Sequence, residues 1–121
     1  MRFLRDTGAD ITDYDRIFTG DLGLVGSDIL GELLLKEGVD LSGRHTDCGL
    51  LIFDRDAQDV HAGGSGCGCC ASVLCSKILP DLQSGRLCNI LFIATGALLS
   101  ATTAQQGKSI PSIAHLVNLA V

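Results

Sequence analysis

Tryptophan is absent from the 121 residues, and tyrosine and methionine occur once each and proline twice. With aromatics at 4%, core packing has to rest on Leu, Ile, Val and Ala. Basic residues are scarce too. Nine Lys and Arg stand against 14 Asp and Glu, a net charge of −5 with a pI near 4.9. A nucleic-acid phosphate surface needs clustered Lys and Arg, so no nucleic-acid partner is expected. Long hydrophobic runs are missing: stretches such as Ile90–Ala94 fall far short of the ~20 apolar residues that span a bilayer. The opening MRFLRDTG lacks the apolar stretch of a signal peptide. That points to the cytosol and leaves docking onto a membrane protein open. What remains is a chain 46% hydrophobic and 19% charged. Such a composition folds around a core rather than staying disordered, as one domain or part of one.

The densest signal lies in AGGSGCGCCASVLC, residues 62–75, where four glycines and two cysteines fall within Gly63–Cys69. A glycine-rich turn opening a helix exposes backbone N–H groups and lets a ligand or another backbone approach closely. An anion or oxyanion site and plain close helix–sheet packing both fit it. Four of the six cysteines crowd into this stretch with no second pair at a distance. Structural zinc prefers spaced pairs, so no metal or other cofactor is expected. Without an export signal, reduced thiols are expected, acting as small buried apolar side chains.

The chain alternates strand and helix signals. Tyr14–Thr19 reads as a strand ending at Gly20-Asp21. A helix from about Leu24 to Lys36 follows, with an apolar stripe of Leu24, Ile29, Leu33 and Leu34, Asp21 as its cap and Gly38 as its stop. Residues 42–59 read as irregular. A second helix is expected over about 67–83, with Pro80 awkward inside it, and Ser84-Gly85 then turns the chain. Asn89–Thr95 reads as a buried strand, Gly96–Gln106 as a loop and Ile113–Val121 as a last strand antiparallel to the one before. The order β-α-loop-α-β-β implies a layered α/β fold with a mixed sheet, both helices being expected on the same layer.

These residues carry a resemblance. DYDRIFTGDLGLVG (13–26), DCGLLIFD (47–54), HAGGSGCGCCASV (61–73) and LFIATGALLSATTAQQGKSIPSIAH (91–115) resemble the C-terminal part of the stage V sporulation protein AD family. That family is a thiolase-like group related to ketoacyl-ACP synthase III. The resemblance implies two similar α/β halves in a five-layer sandwich, of which residues 1–121 would be the C-terminal half with the N-terminal half absent. In the related synthases the first strand ends in a catalytic His and the glycine-rich helix start carries a catalytic Asn. Here those places hold Thr19-Gly20-Asp21-Leu22 and Gly63-Gly64-Ser65-Gly66. No cysteine matches the nucleophile, which belongs to the other half. The resemblance therefore implies a non-enzyme. The implied ligand is dipicolinic acid, free or as its calcium chelate, and the implied partners are the membrane proteins of the spore dipicolinate channel. The implied setting is peripheral, at the cytoplasmic face of the spore inner membrane, with homodimerisation in the full-length protein. A partial condensing enzyme needing its other half is the alternative.

The pocket is expected where the turn after the first strand meets the glycine-rich start. Its lining would be Asp21, His61, Gly64, Ser65 and Cys67. Backbone N–H groups and the Ser65 hydroxyl suit a small dianion, and His61 can donate to a carboxylate. Asp21 and Asp47 have the wrong sign for a free dianion but suit a calcium chelate. A helix cap for Asp21, a structural hydrogen bond for His61 and a turn role for Asp47 remain open beside these roles.

Overall fold

The computed structural model describes residues 2–97 and 100–121. Helix α1 (Arg2–Thr7) and a 3-10 turn (Ile11–Asp13) lead into strand β1 (Arg16–Thr19). Helix α2 (Gly23–Lys36), strand β2 (His45–Asp47) and the short helix α3 (Cys48–Leu51) follow. A helical run then comprises α4 (Cys69–Val73), a π-helical turn (Leu74–Ile78) and α5 (Leu79–Gln83). Strand β3 (Asn89–Ala97), helix α6 (Ala101–Gln105) and strand β4 (Ser112–Ala120) complete the order. The α/β mixed sheet has the order β2-β1-β3-β4, parallel across its first three strands, with β4 antiparallel to β3.

Most expected elements stand, with four corrections. The irregular stretch 42–59 contains β2 and α3, so the order is β-α-β-α-β-β with short helices added. The second helix begins at Cys69, not Cys67, because Gly66 lies at φ +119° and the chain is still turning. Residues 98 and 99 of the expected loop lie outside the described residues, and its following part holds α6. Finally, the two main helices pack on opposite faces of the sheet rather than one layer. Strand geometry shows why: Ile17 and Leu91 point one way, towards Leu30, Leu34 and Leu41. Their neighbours Phe18, Ile90 and Phe92 point the other way, towards Cys69, Val73, Ile78 and Leu82. The crossover β1-α2-β2 steps outward and the next one, β2 to β3, steps back past β1. When both keep the right hand that such crossovers almost always take, reversing direction reverses the covered face.

Within α2, the core-facing pair is Leu30 and Leu34, while Ile29 and Leu33 are about half exposed. The helix also carries exposed Val25 and Leu35, so its apolar residues run round the cylinder and do not single out one stripe. Gly38 stops it as expected: at φ +82° it lets Val39 N–H reach the Leu34 carbonyl at 2.9 Å. Pro80 does not break the second helix. The π turn lies directly before it, where a residue without an N–H could not have closed an α bond to Ser76.

The start of α2 is not capped by Asp21. Asp47, fully buried at the end of β2, does that work. Its Oδ1 accepts from Thr19 Oγ1 at 2.6 Å and Leu22 N–H at 3.0 Å. Its Oδ2 accepts from Gly23 N–H at 2.9 Å and Gly49 N–H at 3.0 Å. One carboxylate therefore satisfies the first turns of α2 and α3 and the last residue of β1. Replacing it by Ala strands several buried donors together, each of which costs about 1–3 kcal/mol when unpaired. Asp47→Ala should lower stability by about 3–5 kcal/mol in urea unfolding. A loss near that of an ordinary exposed cap, about 1 kcal/mol, would mean that water or a neighbouring group replaces the carboxylate.

Candidate functional site

The turn after β1 and the glycine-rich loop do meet. Asp21 sits two residues beyond the end of β1, and its carboxylate bridges to both neighbouring segments. Oδ2 accepts from Ser65 Oγ at 3.1 Å and from Gly66 N–H at 3.0 Å. Oδ1 accepts from Thr95 Oγ1 at 2.9 Å, and the same hydroxyl accepts from Asp21 N–H at 3.0 Å. Around this carboxylate opens a cleft of about 660 Å³ lined by Asp21, Leu22, Ser65, Thr95, Gly96, Ala97, Ser112, Ile113 and Ala114. Among the described residues it presents one acidic group, three hydroxyl-bearing residues and aliphatic walls.

Of the five residues expected to line it, Asp21 and Ser65 do. His61 does not: its side chain is 89% exposed and its ring lies 3.5 Å from the Asp59 carboxylate. Its backbone is turned to φ +46°. Gly64 is buried with its N–H on the Gly49 carbonyl at 2.7 Å. A methyl group there would collide with Ile52 and Phe53, so this glycine serves loop packing. Cys67 is exposed and lies outside the lining. Thr95 and Ser112, contributed by β3 and β4, were not foreseen. The only sequence signal for Thr95 is a lone hydroxyl at the end of the apolar run NILFIAT, read there as strand.

A second, more apolar cavity of about 410 Å³ lies between α2 and the sheet and shares Leu22, Thr95 and Ala114 with the cleft. Its polar floor groups are already engaged, Thr19 with Asp47 and Thr95 with Asp21. The cleft at Asp21 is where polar chemistry can occur. Beside it, Thr19 also lies 2.8 Å from His45 Nε2. Because the Thr19 proton goes to Asp47, the His45 ring must donate here. Burial lowers the pKa of His45, opposed by the nearby Asp47 charge.

The two buried thiols near the site, Cys48 and Cys69, are not poised as nucleophiles. Burial foremost, then the negative charge of Asp47 and neighbouring thiols, pushes Cys48 up to about 12. Cys69 is raised by burial and by Asp21. A nucleophilic cysteine needs the opposite, an electropositive setting that favours the thiolate. Among the described residues no group of three or more His, Cys, Asp and Glu is placed to hold a metal ion. No described helix is long and apolar enough to cross a membrane.

The family model for stage V sporulation protein AD matches residues 1–120 of this chain. The chain belongs to the stage V sporulation protein AD family. Stage V sporulation protein AD of Bacillus subtilis (strain 168) is 49% identical over 111 residues, 92% of this chain and 32% of the relative. The chain thus spans about a third of the length of that curated relative. Membership in this sporulation family carries the resemblance seen in the motifs, and the mixed sheet is consistent with a thiolase-like half.

The expectation that the cysteines are buried holds for only part of the set in this family member. Cys48 and Cys69 are buried, Cys70 is half-buried, and Cys67, Cys75 and Cys88 are exposed, all as free thiols. Alkylation with iodoacetamide at pH 8 should therefore label Cys67, Cys75 and Cys88 first. Cys48, buried and held up to about 12, should be labelled only as the chain unfolds. Peptide mapping over a time course checks this, and early labelling of Cys48 would contradict the packing described.

Proposed function

We propose that this chain forms one wall of a dipicolinic acid site in a non-catalytic sporulation protein that takes up this compound into the developing spore. The observation that carries this reading is the Asp21 carboxylate, held open to a hydroxyl-lined cleft by donors from the glycine-rich loop and β3. A free dicarboxylate meeting that charge would be repelled, by about 4 kcal/mol for unit charges 4 Å apart near a protein surface. Its calcium chelate is neutral overall, and dipicolinate fills only part of calcium's shell of roughly six to eight oxygens. A fixed carboxylate then becomes a ligand rather than an obstacle. The cleft thus favours the chelate over the free acid. The rest of the site, the homodimer and contacts with the membrane proteins of the dipicolinate channel belong to the longer protein, peripheral at the cytoplasmic face of the spore inner membrane.

Calorimetry on the full-length protein carrying this chain tests the reading. Asp21→Asn should weaken binding of calcium dipicolinate by about tenfold, one charge-assisted contact, and should leave or improve binding of dipicolinate without calcium. His61→Ala, with its ring in solvent, should bind like the parent. Equal affinities for Asp21→Asn and the parent in calcium would remove Asp21 from the site.

The same protein should be inert as a condensing enzyme. The turn at Gly20-Asp21 lacks the His, and Gly63–Gly66 the Asn, of the related synthases. Without a general base or an oxyanion donor, neither formation nor breakdown of an acyl intermediate is supported. Incubation with acyl-CoA followed by intact-mass measurement should show no acyl adduct and no ketoacyl product. Turnover would instead favour the alternative, a partial condensing enzyme.

A further inference from the structure

We infer that Thr95 is the positioning residue of this cleft, setting the orientation in which Asp21 meets a ligand; this rests on the binding reading above. The parallel register of β1 and β3 pairs Thr19 with Ile93. Extended by two residues, it brings Asp21 alongside Thr95, but β1 has already ended. There the backbone ladder is replaced by a side chain. The Thr95 hydroxyl accepts from Asp21 N–H at 3.0 Å and donates to Asp21 Oδ1 at 2.9 Å. One hydroxyl thus closes a ring on one residue and uses its single proton doing so.

An independent observation shows how closely this contact is built. Gly20 is buried, and a Cβ on it would lie 2.5 Å from Thr95 Oγ1 and 2.8 Å from Thr95 N. The β1 turn can approach β3 only because residue 20 has no side chain. On the other side, Ser65 and Gly66 hold Oδ2. These two donors sit on an exposed loop, whereas Thr95 sits within a nine-residue strand and is paired at its own level with Ala114 of β4. The rigid anchor of the carboxylate is therefore the strand hydroxyl, and the loop donors are the ones that can be exchanged for ligand.

Thr95→Val keeps the shape and removes the hydroxyl, and Thr95→Ser keeps the hydroxyl. In the full-length protein carrying this chain, two readouts are compared: residue-resolved amide exchange at Asp21, and calorimetry with calcium dipicolinate. The Val variant should exchange its Asp21 amide about tenfold faster or more and bind the chelate about tenfold more weakly. The Ser variant should return both towards the parent. A merely structural threonine would change thermal stability without this rescue pattern. Unchanged exchange at Asp21 in the Val variant overturns the inference whatever the ligand does. Faster exchange with parental chelate affinity overturns it as well. If the parent binds no chelate while the Val variant still frees the Asp21 amide, the ligand reading falls and the positioning of Asp21 by Thr95 stands. Should the Val variant not fold, Thr95→Ala supplies the same comparison.

Discussion

The buried carboxylate of Asp47 is the point on which the architecture turns. It stands at the end of the edge strand β2 and binds the last residue of β1, the first amides of α2 and the first turn of α3. A carboxylate removed from water is tolerable only when its lone pairs are filled, and here four donors fill them. The same bonds fix the geometry of the turn that presents Asp21. The candidate site is held from below by one acid and displays another above it.

Elements whose character is written in their own residues could be read directly. β3 is apolar enough to be a buried strand, Gly38 and Gly85 mark stops, and β4 is a largely apolar run that pairs antiparallel with β3. β2 could not be read this way. His-Thr-Asp has no strand pattern of its own, and it becomes a strand because β1 offers an open parallel edge. The helix-face assignment failed for a related reason. Which face a crossover helix covers follows from the order of strands in space, and that order depends on a strand too short and polar to notice. Likewise α2 is apolar on more than one side, so only the packed structure distinguishes Leu30 and Leu34 from Ile29 and Leu33.

The site was legible where residue type and backbone need coincided. Glycines at 63 and 66 adopt positive φ, and Ser65 between them reaches Asp21. His61 stood next to the motif and had suitable chemistry, yet its left-handed backbone turns the ring outward to Asp59. Asp21 stands just ahead of α2, where a cap is expected, but loses that role to Asp47, a residue 26 places later in the chain. Thr95 was hidden by its surroundings, since a single hydroxyl in an apolar strand carries no pattern. Its role exists only across 74 residues of sequence separation.

The π turn before Pro80 has a consequence for how the second helix is phased. Its core residues are Cys69, Val73, Ile78 and Leu82, at intervals of four, five and four. An uninterrupted α-helix advances about 100° per residue, so it would carry Lys77 rather than Ile78 round to the sheet. The wide turn absorbs one additional residue and returns the following segment to the same azimuth. The helix thereby holds one residue more than α geometry would allow between its two ends, without exchanging its dry side for its wet one.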